Sequence, residues 1–129
     1  MRIEHIGICV VAPISMGIWY RDHLGFEIIR ANGDDNFGVT FLRDKEDGTV
    51  IEIAKIPECT ALDIEKHIPL QFHTAIDCSN PQTEADHLIK AGAEWIGESP
   101  YNNYPGEKLL VRDPWGYTIQ LLNRQDGLA

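Results

Sequence analysis

The chain repeats itself at nearly one spacing. Ile3-Glu4-His5-Ile6-Gly7-Ile8-Cys9-Val10 and Gln71-Phe72-His73-Thr74-Ala75-Ile76-Asp77-Cys78 both read as strands with a histidine third, and His5 and His73 stand 68 residues apart. Gly48-Thr49-Val50-Ile51-Glu52-Ile53 and Gly116-Tyr117-Thr118-Ile119-Gln120-Leu121 match at the same offset of 68, and Leu24-Gly25-Phe26-Glu27 and Ala91-Gly92-Ala93-Glu94 match at 67. Matches at nearly one spacing point to a duplicated unit, and two copies are too few for a solenoid, which needs at least ~3. A paired, pseudo-twofold domain is what remains.

Each copy reads the same way. A first strand leads to a helix, marked in copy one by Pro13 in its first turn and Gly25 at its stop, with Ile14, Ile18, Trp19 and Leu24 apolar. In copy two Asn80 is a good cap, Pro81 opens the helix and Gly92 ends it. Three strands follow, roughly 27–31, 38–42 and 50–54, then 94–97, 108–112 and 118–122, with turn-rich breaks at Asn32-Gly33-Asp34-Asp35 and at 44–48. The order β-α-β-β-β, twice, predicts an α+β fold of two tandem βαβββ modules. Module one covers about 1–56, a linker 57–69 and module two about 70–124, within a single domain of residues 1–129.

Strand residues alternate faces. Ile6, Ile8 and Val10 oppose His5, Gly7 and Cys9, and Ile51 and Ile53 oppose Val50, Glu52 and Ala54. Copy two sets Phe72, Thr74 and Ile76 against His73, Ala75 and Asp77, and Ile119 and Leu121 against Thr118, Gln120 and Leu122. The oily faces are expected to pack on the helices. The other faces carry His, Glu or Gln among small residues and are expected to line a central cleft. A pseudo-twofold axis would converge His5, Glu52, His73 and Gln120 on one point, where imidazole and carboxylate groups suit zinc, iron, nickel, cobalt or manganese. A lone strand histidine is more often a satisfied core residue. Four polar groups at mirrored positions are harder to explain that way, and a buried Glu52 needs something to offset its charge.

The net charge of −9, with no cluster of Lys and Arg, argues against a nucleic-acid partner. No apolar run approaches the ~20 residues of a membrane span. The first ten residues lack the basic and long apolar regions of a secretory leader. Cys9, Cys59 and Cys78 are odd in number and widely spaced, which argues against a disulfide framework and for a reducing compartment. The expected location is the cytoplasm.

Glu4-His5-Ile6-Gly7, the run Trp19-Tyr20-Arg21-Asp22-His23-Leu24-Gly25-Phe26-Glu27, and Arg112-Asp113-Pro114-Trp115-Gly116-Tyr117-Thr118-Ile119-Gln120-Leu121 closely resemble the vicinal oxygen chelate superfamily. That group includes glyoxalase I, methylmalonyl-CoA epimerase, extradiol dioxygenases, fosfomycin-resistance transferases and bleomycin-resistance binding proteins. The resemblance runs from Ile3 to Asn123 and implies paired βαβββ modules forming a cupped mixed sheet. It places the first-strand ligands on His5 and His73 and the last-strand ligands on Glu52 and Gln120. It implies a divalent metal that chelates two oxygens of a small oxygen-rich substrate and stabilises an enolate-like anion as a Lewis acid. The implied activity is that of a glyoxalase-like lyase or isomerase. Two positions depart from glyoxalase I: Gln120 stands where a Glu is usual, leaving Glu52 as the catalytic base, and Cys9 stands near the place of a glutathione-binding Arg. A ring-cleaving dioxygenase would want a carboxylate at Gln120. The alternative outside catalysis is a drug- or metabolite-binding protein of bleomycin-resistance type.

The remaining candidates have plainer readings. Trp19, Tyr20 and Trp115 suit packing, and His23, His67 and His87 suit the surface. Cys9 and Cys78 read as buried thiols, with Cys9 on the His5 face. Arg43 and Arg112 stand at near-matching places and suit surface salt bridges better than a substrate carboxylate. The loop 98–107, with Tyr101 and Tyr104, reads at least as well as a simple connection, and is also the best candidate for a source of specificity. Exposed strand edges favour a homodimer.

Overall fold

The computed structural model describes residues 1–64, 67–99 and 106–125. The chain forms two compact units, Met1–Leu62 and Asp63–Ala129.

In the first unit β1 (Ile6–Cys9) leads through α1 (Pro13–Leu24) to β2 (Glu27–Gly33), β3 (Gly38–Arg43) and β4 (Val50–Lys55). They make one four-stranded sheet in the order β1-β4-β3-β2, with β1 parallel to β4 and the other pairs antiparallel. Helix α1 covers one face, resting on β3, β2 and β4. Val10, Met16, Leu42 and Ile53 are buried there. Thr40 faces the helix: its hydroxyl donates to the Pro13 carbonyl at 2.9 Å, and a Cβ added at Gly17 would meet its methyl at 2.6 Å. The close approach explains a glycine in mid-helix. Gly25 stops α1 in the left-handed conformation, φ 75°.

The start of α1 is capped from a distance. Ala12 at the N-cap has no side-chain acceptor. Asp35, in the β2–β3 turn, takes its place: Oδ1 accepts from the Ile14 and Ser15 amides at 2.8 and 2.9 Å, and Oδ2 accepts from the Ser15 hydroxyl. Burial raises the Asp35 pKa, but these hydrogen bonds outweigh it and hold the carboxyl below its usual range.

The second unit repeats the design. A short 3-10 turn at Pro69–Gln71 precedes β5 (His73–Asp77), α2 (Pro81–Lys90), β6 (Glu94–Glu98), β7 (Lys108–Arg112) and β8 (Thr118–Leu122). The sheet order is β5-β8-β7-β6, again with the first strand parallel to the last. Asn80 caps α2 locally, accepting from the Thr83 amide at 3.0 Å. Buried Asp113 organises the Asp-Pro-Trp-Gly turn into β8, accepting from the Trp115 and Tyr117 amides at 2.9 Å each, with Gly116 at φ 93°. The fold is therefore α+β with two βαβββ modules, as the repeat predicts.

Two expectations are corrected. The first strands' apolar faces are not fully covered: Val10 is buried, but Ile6 is 55% exposed and Phe72 41%. β1 and β5 are sheet edges, and each helix rests on the other three strands of its unit. The cysteines also differ from the expectation. Cys9 and Cys59 form a disulfide with Cα atoms 6.1 Å apart, within ordinary bridging range. Parallel pairing sets Cys9 beside Ala54, and the chain then turns back so that the Cys59 amide donates to the Ile56 carbonyl at 3.1 Å. Fifty residues of separation hid the pair, and cysteine spacing no longer argues for a reducing compartment. Cys78 is the free thiol.

Candidate metal centre

The face of the first sheet turned away from α1 carries His5 and Glu52. In the β1–β4 register Gly7 pairs with Glu52, which sets His5 diagonally beside it. His5 Nε2 lies 3.5 Å from Glu52 Oε2, with both side chains about one-third exposed (34% and 29%). Gly7 leaves the carboxylate its space, since a Cβ there would sit 3.5 Å from Glu52 Oε1. Phe41, the β3 partner of Glu52, meets the imidazole edge-on with centroids 5.6 Å apart. The other ring nitrogen, Nδ1, is held by the Glu4 carboxylate. The hydrogen bond to Glu4 raises the His5 pKa; burial opposes this, and attraction to Glu4 and Glu52 adds to it.

In the second unit His73 is exposed, and its Nδ1 stands 3.2 Å from the Leu70 carbonyl. A carbonyl only accepts, so Nδ1 is the donor in that contact. Gln120 is buried between its strand partners Ala75 and Leu110, and its amide nitrogen donates to the Ser99 hydroxyl at 3.4 Å. That bond uses the amide nitrogen, so the carbonyl oxygen is the atom of this side chain that could hold a cation. β5 and β8 pair His73 with Thr118, so His73 and Gln120 share one face.

Within either unit, among the described residues, no three His, Cys, Asp or Glu side chains group together as a metal cage. Each unit instead carries two candidate donors on one sheet face. The donor chemistry fits a divalent ion: both histidines have Nδ1 fixed by an oxygen acceptor, the arrangement that orients Nε2 toward a metal. The second unit also holds a cavity of about 600 Å³, lined by Ile68, Pro69, Leu70, Ile96 and Leu110, the last being the strand partner of Gln120, with Gln71 and Glu98 as polar members. That volume is in the range of small-molecule sites.

Some supporting residues escape sequence reasoning. Glu4 has apolar Phe72 at its repeat position, so symmetry passes over it. Ser99 reaches Gln120 only because β6 and β8 flank β7. Of the other residues, some fall where the plain reading puts them. Arg43 pairs with Glu27 at 2.6 Å, whereas Arg112, expected in a surface salt bridge, is half-buried and donates to the Gly116 backbone carbonyl at 3.2 Å. His67 and His87 are exposed, whereas His23 is half-buried against Trp19, with centroids 5.2 Å apart. Tyr101 and Tyr104 lie outside the described residues.

The family model of the glyoxalase/bleomycin resistance protein/dioxygenase superfamily matches residues 2–121. The chain belongs to this superfamily. Three solved structures share the superfamily fold with it. A glyoxalase family protein from Bacillus cereus aligns with a TM-score of 0.76 and 14% identity over 95% of this chain and 93% of that one. The fosfomycin resistance protein FosX of Listeria monocytogenes, complexed with manganese(II) and sulfate, gives 0.71 and 15% over 97% and 91%. The trypanothione-dependent glyoxalase I of Leishmania major gives 0.69 and 24% over 97% and 88%. No curated protein matches the sequence. Superfamily membership sets the fold and leaves the reaction to the site. Among the described residues no helix is long and apolar enough to cross a membrane.

Proposed function

We propose that this superfamily member is a divalent-metal-dependent lyase or isomerase of glyoxalase type, acting on a small oxygen-rich substrate. The observation that carries the reading is the His5–Glu52 pair, with Nε2 turned to a carboxylate oxygen at 3.5 Å and Nδ1 tied to Glu4. A zinc, nickel, cobalt, iron or manganese ion held by His5, Glu52, His73 and Gln120 would supply Lewis acidity toward adjacent substrate oxygens. The chain's own residues divide the remaining work. Gln120 has no titratable proton and serves to bind, with Ser99 orienting its amide. Glu52 is the carboxylate among the four and takes the role of base, moving a proton at the substrate carbon. Phe41 packs edge-on against one side of His5. A homodimer is part of the proposal, supported by exposed Ile3 and Ile6 on the edge-strand side of the first sheet.

A second reading, a binding protein of bleomycin-resistance type, is favoured by the largely apolar cavity of the second unit. Metal content separates the two. Untagged protein is purified beside a His5→Ala, His73→Ala double variant and its metal measured by mass spectrometry. Near-stoichiometric metal that is lost in the variant supports the metal reading. Wild-type protein that stays metal-free after incubation with manganese, iron, cobalt, nickel and zinc overturns it. Metal-loaded protein is then screened on α-hydroxy and α-keto thioesters, and absence of metal-dependent turnover favours the binder.

A further inference from the structure

We propose that Arg30 anchors a second, negatively charged end of the substrate, which makes the substrate class a small acid with chelating oxygens at one end and an anionic oxygen group at the other. This rests on the metal reading of His5 and Glu52 above. The register places the residues in one row across the first sheet: Gly7 pairs with Glu52, Glu52 with Phe41, and Phe41 with Arg30. Thr40 faces α1 through its hydrogen bond to Pro13, so its neighbour Phe41 faces the other way, as its contact with His5 confirms. Arg30, directly opposite Phe41, shares that open face and is exposed. Neighbouring strands lie ~4.8 Å apart, so the Arg30 and Glu52 backbones, two strands apart, are separated by about 10 Å.

The charges on this face single out Arg30. Arg43 is neutralised by Glu27, which accepts from Nε and Nη2 at 3.2 and 2.6 Å. Arg30 has no ion-pair partner among the described residues. In a chain of net charge −9, an open guanidinium in line with the metal donors is a local exception to the acidic field. Its planar fork matches a carboxylate or phosphonate with two parallel hydrogen bonds. Phe41 between the two ends offers an apolar floor for the short carbon chain joining them.

The test is calorimetric titration of manganese-loaded protein with 2-oxoglutarate and with 2-oxopentanoate, which keeps the chelating keto-acid end and has a methyl group in place of the distal carboxylate. Wild-type protein is expected to bind 2-oxoglutarate about tenfold more tightly, the size of one charge-assisted contact. Arg30→Gln removes that preference while leaving manganese content and 2-oxopentanoate affinity unchanged, and Arg30→Lys restores part of it. Equal affinities in wild type, a preference that survives Arg30→Gln, or binding of neither acid overturns the assignment of Arg30 alone. Failure to take up manganese overturns the metal reading and this assignment with it.

Discussion

His5 and Glu52 face each other at 3.5 Å across the β1–β4 ladder, while Glu4 holds the opposite nitrogen of the same imidazole. With Nδ1 protonated toward Glu4, a bare Nε2 lone pair would point at a carboxylate oxygen, two acceptors with nothing between them. A proton on Nε2 or a cation between the two relieves that repulsion, so proton and metal compete for one place.

The competition sets a pH dependence. The His5 pKa is raised, mainly by the Glu4 hydrogen bond. A raised folded-state pKa means that the stabilising ion pairs are fully present below the unfolded pKa and are lost as pH rises through the folded one. Metal affinity runs the other way and weakens as pH falls through the folded His5 pKa. Glu4→Gln is expected to lower that pKa, seen by NMR titration of the ring, and to preserve metal binding to lower pH. An unchanged titration midpoint would refute the role given to Glu4.

Gln120→Glu tests the mirrored position. Gln120 is 9% exposed and lies between Ala75 and Leu110, so a carboxylate there is poorly solvated. Without metal the variant is expected to lose about 1–3 kcal/mol of stability. Saturating metal is expected to raise its melting temperature more than that of wild type, because the new charge is then compensated. Equal metal-induced shifts in the two proteins would remove Gln120 from the ligand set.

Asp35→Ala removes the remote cap of α1 and is expected to cost about 1–2 kcal/mol in urea unfolding at neutral pH. The Asp35 pKa is lowered in the fold, burial being outweighed by hydrogen bonds from Ser15 and Ile14. Its contribution is therefore present above the unfolded pKa and lost as pH falls through the folded one. The gap between variant and wild type should close in acid; a gap independent of pH would show that the cap does not act through its charge.

Reduction of the Cys9–Cys59 disulfide releases the end of β1 from the exit of β4. Closing a loop of this size is worth about 2–4 kcal/mol, so Cys59→Ser should unfold at correspondingly lower urea. Cys78, whose pKa is pushed up to about 11 by burial and by Glu84 and Asp77, should react sluggishly as the one thiol of the oxidised native protein. Three thiols in unreduced, denatured protein would refute the pairing.

Much of the fold is legible in the chain because its signals are local. Pro13, Gly25, Asn80 and Gly116 act within a few residues of themselves, and the repeat offset aligns both copies without reference to space. The candidate donors are legible for the same reason, as one residue at a fixed phase of a strand. Their supports are not. Glu4 lies outside the repeat symmetry, and Ser99 meets Gln120 across an intervening strand. Asp35 reaches helix α1 from a turn 20 residues downstream of Ser15.

The sequence alone determined the β-α-β-β-β order, its duplication and the strand face on which each candidate donor falls, since periodicity and turn chemistry depend on near neighbours. Tertiary structure decided which side chains meet: His5 with Glu52 through parallel register, Cys9 with Cys59 through a chain reversal, Asp35 with α1, and Arg30 in line with Phe41. Such contacts arise from strand order and register, which join residues far apart in the chain, and no local pattern encodes the distance between them.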